Sequence, residues 1–297
     1  MHMDRVRQLV RYWCDDTFSG KCLGKGVTAA VLDTGLAPHP DFRGRVRVFL
    51  DLTKGKKQLR QPYDDSGHGT HVAGILAGDG RMSGGLLAGM APEAELVILK
   101  VLDEKGEGSI EDILRGIRWV EENAARLGIR VVNISVGAKS GLGEEKERRL
   151  LSAVETLWDQ NLVVTVSAGN QGPGEGSVAV PGTSRKIITV GALKTDTGVL
   201  NCSGRGPTRE CVVKPDILAP GYLIRSCSHR PGRRSGYYTA KSGTSMAAPV
   251  VCGAAALYLC KYPEASNTEV KLRLLQTALK TEGGKGERCL DVKHFLH

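Results

Sequence analysis

Three short segments carry side chains able to run acid–base and nucleophilic chemistry. In Val31-Leu32-Asp33-Thr34-Gly35 a carboxylate closes an apolar run and Gly35 permits a sharp exit from it. An isolated aspartate in that setting reads as a turn former. Asp-Thr-Gly is also the aspartic-protease motif, whose dyad needs two copies, and that reading is set aside. The stretch Asp65-Ser66-Gly67-His68-Gly69-Thr70-His71-Val72-Ala73-Gly74 is more specific. It sets a histidine between two glycines, before an apolar helix predicted to begin near Thr70, so the imidazole of His68 stays open to a cleft. His71, about one helical turn on, suggests a two-histidine metal site, but the glutamate of His-Glu-x-x-His is missing and His71 is read as structural. In Ser242-Gly243-Thr244-Ser245-Met246-Ala247-Ala248-Pro249 a serine opens a long apolar helix. Free first-turn amides and a positive partial charge then face its hydroxyl, and Pro249 is expected to fall where helical N–H groups have no partner. A lone serine there would simply be a cap.

Such residues must be positioned by a frame. Runs that are apolar throughout, Val27 to Leu32, Leu96 to Leu102, Ile129 to Ile134, Leu162 to Val166 and Ile187 to Val190, read as strands buried on both faces. Helical periodicity lies between them, at Ser109 to Leu127, with Ser109 as N-cap, and at Glu144 to Trp158. The alternation predicts an α/β fold, a three-layer αβα sandwich with a mainly parallel central sheet. Chemistry in such sheets gathers beyond the carboxyl ends of the strands, where Asp33, Ser135 and Ser167 to Asn170 fall.

Asp33-Thr34-Gly35, His68-Gly69-Thr70-His71 and Gly243 to Pro249 resemble the three signature segments of the subtilase family, in its chain order of Asp, His and Ser. The resemblance runs from about Gly26 to Tyr262 and takes in Ser167-Ala168-Gly169-Asn170 and Gly204-Arg205-Gly206-Pro207-Thr208 with Lys214-Pro215-Asp216. It extends to the intracellular subtilisins. The resemblance implies a subtilisin-like fold and a serine endopeptidase working through an acyl-enzyme. Asp33, His68 and Ser245 would form the triad, and the Asn170 amide would join the Ser245 backbone N–H in an oxyanion hole.

It also implies protein or peptide substrates held as an added strand between Gly106-Glu107-Gly108 and Ser135-Val136-Gly137, with Ser167, Ala168 and Gly169 completing the pocket. Acidic Asp103, Glu104 and Glu107 either favour basic substrate residues or simply solubilise that rim. A propeptide or a proteinaceous inhibitor is an implied partner. No cofactor is required for the chemistry. Structural calcium or sodium stays open, although Ala77 to Gly85, with one carboxylate and no asparagine, is read against a calcium loop there. The alternative is a catalytically silent binding or regulatory protein on the same fold, from which a triad member or the oxyanion asparagine would be missing. All four residues are present.

With 41% hydrophobic and 25% charged residues, residues 1–297 read as one domain. Residues 1–25 form an N-terminal extension, too short for a propeptide domain, in which Val6, Leu9, Val10 and Trp13 make a small apolar stripe. It is read as a docked terminal helix or as an inhibitory extension. The longest apolar run, Ala254 to Cys260, falls short of the roughly 20 residues that cross a bilayer. The net charge of +9, concentrated at Arg43, Arg45, Arg47, Lys54, Lys56, Lys57 and Arg60, accompanies no nucleic-acid module and is read as a solvated face. Neither nucleic acid nor membrane is an expected partner. The eight cysteines show no disulfide framework, and Cys252 and Cys260 on one helix would lie about 12 Å apart. Reduced thiols and a cytoplasmic location are expected, secretion of a mature fragment being the alternative. Cys227 to Gly236 reads as an exposed basic hairpin near the site or as a site for proteolytic nicking, with Cys227 and Cys252 as inert buried groups.

Overall fold

The computed structural model describes residues 1–12, 22–53, 58–59, 61–136, 143–193, 202–232, 236–280 and 287–297. The chain opens with α1 (Met3–Leu9), continues through β1 (Thr28–Asp33), β2 (Val46–Asp51), β3 (Gln58–Leu59), α2 (His68–Ala77), β4 (Glu95–Lys100), α3 (Ile110–Leu127) and β5 (Ile129–Ile134), and then α4 (Glu144–Asp159), β6 (Val163–Ser167) and β7 (Ile188–Leu193). After β8 (Ile217–Pro220) a hairpin of β9 (Ile224–Cys227) and β10 (Tyr238–Lys241) leads into α5 (Thr244–Lys261). The chain closes with α6 (Asn267–Thr277), β11 (Leu279–Lys280), β12 (Arg288–Cys289) and α7 (Val292–Leu296).

Ten strands form one sheet in the order β11-β12-β8-β7-β6-β5-β1-β4-β2-β3, parallel except where β3 and β11 join its two ends. The fold is the expected three-layer α/β sandwich. Both faces of β1 are covered, which is why all six of its residues are buried. Leu32 and Asp33 are successive and so face opposite layers. On the Leu32 side, a side chain at Gly116 of α3 would stand 3.2 Å from it; on the Asp33 side, one at Gly69 of α2 would stand 3.1 Å from its Cβ. The absence of side chains lets both helices settle directly on the strand.

The expected strand positions hold to within two or three residues, and three observations correct other expectations. β2 had been read as part of a basic solvated face. It is a sheet strand, and Arg45 beside it is anchored, its guanidinium donating to the carbonyls of Ala77 at 2.6 Å and Ala94 at 3.0 Å. Burial lowers its pKa from the usual guanidinium value. Arg47 does reach the surface, donating to Leu127 O and pairing with Glu95, while Lys54, Lys56, Lys57 and Arg60 lie outside the described residues. Second, α5 is long and apolar enough to pass for a membrane span, yet 83% of it is buried inside the fold, against β5 to β8 and α2. A helix apolar all round is what a core position demands. Third, the buried face of α1 is Met3 and Val6, continued by Val10 and Tyr12; Leu9 is half-buried and Trp13 lies outside the described residues. The segment docks on β9, with Arg225 N–H donating to Met1 O at 2.7 Å.

Candidate active site

Asp33 ends β1 fully buried, and its Oδ1 accepts from Thr34 N–H and from His68 Nδ1, both at 2.7 Å. A carboxylate can only accept, so Nδ1 carries the proton and Nε2 of neutral His68 is left bare. Asp33 Oδ2 has no partner among the described residues. Burial alone would lower the pKa of His68, but the charge of Asp33 and its hydrogen bond outweigh burial and leave it raised above 6.5. The dyad reading was set aside as lacking a second Asp-Thr-Gly, but the sequence has one, Asp196-Thr197-Gly198, which lies outside the described residues. The commitment of Asp33 to an imidazole, rather than a count of motifs, is what separates it from a carboxylate dyad.

α2 begins at His68, two residues before the expected Thr70, with Gly67 in the left-handed region at φ 85°. The residue that fixes this start, Asp64, was not among the expected site residues. Its Oδ1 accepts from Ser66 N–H and Gly67 N–H and from Thr34 Oγ1, and its Oδ2 from Thr70 N–H and Thr70 Oγ1. Burial would raise its pKa, but these donors together hold it below the usual carboxylate range. An acid just ahead of a Gly-His helix start was the available signal. Lys100 was missed as well. Buried at the end of β4, its Nζ donates to Thr34 O, Leu102 O and Asp65 Oδ1 at 2.7–2.8 Å and so ties the exit from Asp33 to the segments that follow β4 and precede α2.

His71 is structural, as expected. Its Nε2 donates to Ile224 O at 2.9 Å and Thr239 O at 3.2 Å, pinning the β9–β10 hairpin to the start of α2. Burial pushes its pKa down to about 3. The unfolded chain would bind a proton near pH 6.5 that the folded chain refuses until about 3. Stability from this group is therefore present above pH 6.5 and drains away as pH falls toward 3, on the order of 5 kcal/mol in all. Urea midpoints across that range, taken on Ser245→Ala protein to prevent self-digestion, should show this acid limb, and adding His71→Gln should flatten it.

The hairpin delivers Ser245 to the second position of α5. α2 and α5 pack together, a side chain at Gly253 meeting Leu76 O at 3.2 Å. His68 sits on Asp33 at the carboxyl end of β1, Ser245 on Ser135 just past the carboxyl end of β5, and the two strands are parallel neighbours with Leu32 opposite Ile134. The two helix starts therefore lie at the same end of the sheet. Ser245 Oγ donates to Ser135 O at 3.2 Å, and none of its bonds goes to His68. Pro249 does not lie in the first turn, as had been expected: it is the sixth residue of α5, so its missing N–H frees the carbonyl of Ser245. Ser135 Oγ donates to that carbonyl at 3.1 Å while accepting from Asn133 Nδ2 at 2.8 Å.

Asn170 stands exposed beyond β6. Its Oδ1 accepts from Thr244 N–H at 3.0 Å and Thr244 Oγ1 at 3.1 Å. A backbone N–H only donates, so the oxygen must face Thr244, and the amide nitrogen, which lies beside Gly243, keeps its hydrogens for another acceptor. The remaining expected residues follow the sheet. Ser135 and Val136 continue β5, with Ser135 buried; Ser167, Ala168 and Gly169 end β6 and are buried; Gly137 lies outside the described residues. Gly106, Glu107 and Gly108 sit on an exposed turn after β4, whose strand is the neighbour of β1. Asp103 shapes that turn, its Oδ1 accepting from Lys105 N–H and Glu107 N–H, which leaves Glu104 and Glu107 as the outward acids of the rim.

Neither candidate metal position fits an ion. The Asp79 carboxylate, which would serve a calcium loop, accepts from Arg81 N–H and pairs with the Arg81 guanidinium at 3.1 Å. His39, Asp41 and Cys227 lie together and buried, but Asp41 already accepts from Met82 N–H, Tyr238 Oη and Cys227 Sγ, and His39 Nδ1 accepts from Asp41 N–H. Burial raises the pKa of the Cys227 thiol far above its ordinary value, so it keeps its proton.

The model of the Subtilase family matches residues 24–290. The chain is 42% identical over 268 residues to the serine protease AprX of Bacillus subtilis (strain 168), covering 84% of this chain and 60% of that protein. It is 36% identical to a subtilisin of Bacillus sp. (strain TA39), covering 87% of this chain and 62% of that protein, and 36% identical to subtilisin Savinase of Lederbergia lenta, covering 86% and 84%. The chain thus spans about three-fifths of the length of the first two. Among solved structures, Sphericase superposes with a TM-score of 0.77 at 31% identity, over 89% of this chain and 87% of that one.

Proposed function

Because this chain belongs to the subtilase family, we propose that it is a serine endopeptidase, cutting peptide bonds of proteins by acyl transfer from Ser245. The observation that carries the reading is the 2.7 Å contact of His68 Nδ1 with buried Asp33, which leaves Nε2 as a free base at the end of the strand adjoining the one that holds Ser245. Rotation of Ser245 Oγ away from Ser135 O brings it to that base, and such catalytic bonds commonly close only when substrate arrives. His68 takes the proton as Oγ attacks the carbonyl carbon, then returns it to the leaving amine, while Asp33 stabilises the imidazolium. The Asn170 amide and the Ser245 N–H meet the developing oxyanion. Water then repeats the sequence on the acyl-enzyme. The family's chemistry requires no cofactor. The free thiols among the described residues support a reducing, cytoplasmic location as part of the same proposal.

The test is a fluorophosphonate probe, located by mass spectrometry, together with casein hydrolysis. Adduct at Ser245 and casein cleavage are expected; an intact, folded protein that does neither returns the chain to the catalytically silent reading. Asn170→Ala should lower kcat by about 100- to 1,000-fold with KM little changed, the scale known for loss of such a donor in subtilisin. The pH profile carries a further expectation. The base must be neutral, so kcat/KM should rise through a pKa above 6.5. Lys241 opposes that raised value, so Lys241→Met should shift the limb to still higher pH, read from initial rates across a buffer series.

A further inference from the structure

Asp33 and His68 belong to different elements, and Thr34 and Asp64 join those elements. Gly35 and Asp64 form an antiparallel bridge and Leu36 N–H donates to Tyr63 O at 3.0 Å, so the exit from β1 runs beside the segment leading into α2. Both peptide neighbours of His68 are fastened to this junction. Gly67 N–H donates to Asp64 Oδ1 at 2.7 Å, and Gly69 N–H donates to Thr34 Oγ1 at 2.8 Å. The closeness of that second contact depends on glycine, since a side chain at Gly69 would stand 2.3 Å from Gly35 O.

The Thr34 hydroxyl links the two fastenings. A backbone N–H only donates, so the hydroxyl accepts from Gly69 and must send its own hydrogen elsewhere. Asp64 Oδ1 takes it at 2.9 Å. The Thr34 N–H goes to Asp33 Oδ1, the same oxygen that receives His68 Nδ1. Thr34 and Asp64 are both buried, where a broken bond has little solvent to replace it.

We propose that Asp64 is a positioning residue of the reaction, holding the His68 imidazole on Asp33 through the Thr34 hydroxyl and through the amides on either side of His68. Among the described residues none of its bonds goes to the imidazole itself. An asparagine in its place turns an NH2 either toward Gly67 N–H or toward Thr70 N–H, donor against donor. The effect on rate rests on the serine endopeptidase reading; the effect on the imidazole does not.

The test compares Asp64→Asn with Thr34→Val, which cuts the link to Asp64 while keeping the shape and every charge of the site, and so decides even if Asp64→Asn does not fold. In Ser245→Ala protein, an NMR titration of the His68 ring should show a lower pKa in Thr34→Val, because the imidazole has slipped from the Asp33 charge that outweighs its burial. In protein with Ser245 intact, each substitution should lower kcat by about 100-fold with KM little changed, the scale of a roughly 1 Å misplacement. The double variant should lose no more than the worse single one, since both break one link. Thr34→Ser, which returns the hydroxyl, should recover the rate lost in Thr34→Val. A folded Thr34→Val with wild-type kcat, an unmoved His68 titration, or losses that add in the double variant overturns the proposal. Wild-type protein that cleaves nothing while the titration shifts as expected strikes the protease reading and leaves the role of Asp64 standing.

Discussion

Ser245→Ala is expected to lower kcat by about six orders of magnitude, a scale carried over from removal of the triad serine in subtilisin. The loss should be close to complete because the neighbouring hydroxyls among the described residues are engaged elsewhere: Ser135 Oγ between Asn133 Nδ2 and Ser245 O, and Thr244 Oγ1 with Asn170 Oδ1. The variant should fold, since Ser245 Oγ makes one hydrogen bond, to Ser135 O, on a partly exposed side chain. A residual rate of 10³- to 10⁴-fold over water should survive from oxyanion stabilisation and binding. Casein hydrolysis, active-site labelling and a melting curve on the same preparation make the check, and retention of even 1% of wild-type activity with an unchanged melt would remove Ser245 from the nucleophile's place.

The second large effect is expected at Asp33→Asn, a fall in kcat of about 10⁴-fold with the fold intact. Here Oδ1 takes both bonds, from Thr34 N–H and His68 Nδ1, while Oδ2 has no partner. An asparagine has two ways to sit. With its NH2 toward His68 it forces the proton onto Nε2, and the base is gone. With its oxygen there it keeps the tautomer but offers no charge to the imidazolium, and it buries an NH2 that has no acceptor. The charge of Asp33 is also what raises His68 above 6.5. The acid limb of kcat/KM should therefore move to lower pH as the rate falls, and a drop in rate with an unmoved limb would show that Asp33 does not act through His68.

The parts of this site that were legible in the sequence are those whose meaning is local. An aspartate ending an apolar run, a histidine between glycines and a serine opening a helix each carry their geometry in their immediate neighbours. Asp64 had a local signal that went unread, for the amides it holds belong to the start of α2 just after it, whereas Lys100 and Arg45 could not be read the same way, because they hold carbonyls brought to them by distant segments, that of Thr34 and those of Ala77 and Ala94. β2 was hidden because Val46 to Val48 alternate with arginine, where a strand buried on both faces was being sought. Pro249 was misjudged by a count. The helix was expected to open at Ser245 and begins at Thr244, and from either start Pro249 falls past the first turn, where its missing N–H leaves a carbonyl open.

That opened bond has a mechanical consequence. A serine in an unbroken helix would ride with the helix. Here the carbonyl of Ser245 is handed instead to Ser135, which follows directly from β5, and β5 is the paired neighbour of β1, with Leu32 opposite Ile134. Nucleophile and orienting carboxylate are thus fastened to adjoining strands of one sheet. The backbone of the nucleophile is thereby referred to the sheet that carries the carboxylate, not to the ladder of its own helix alone.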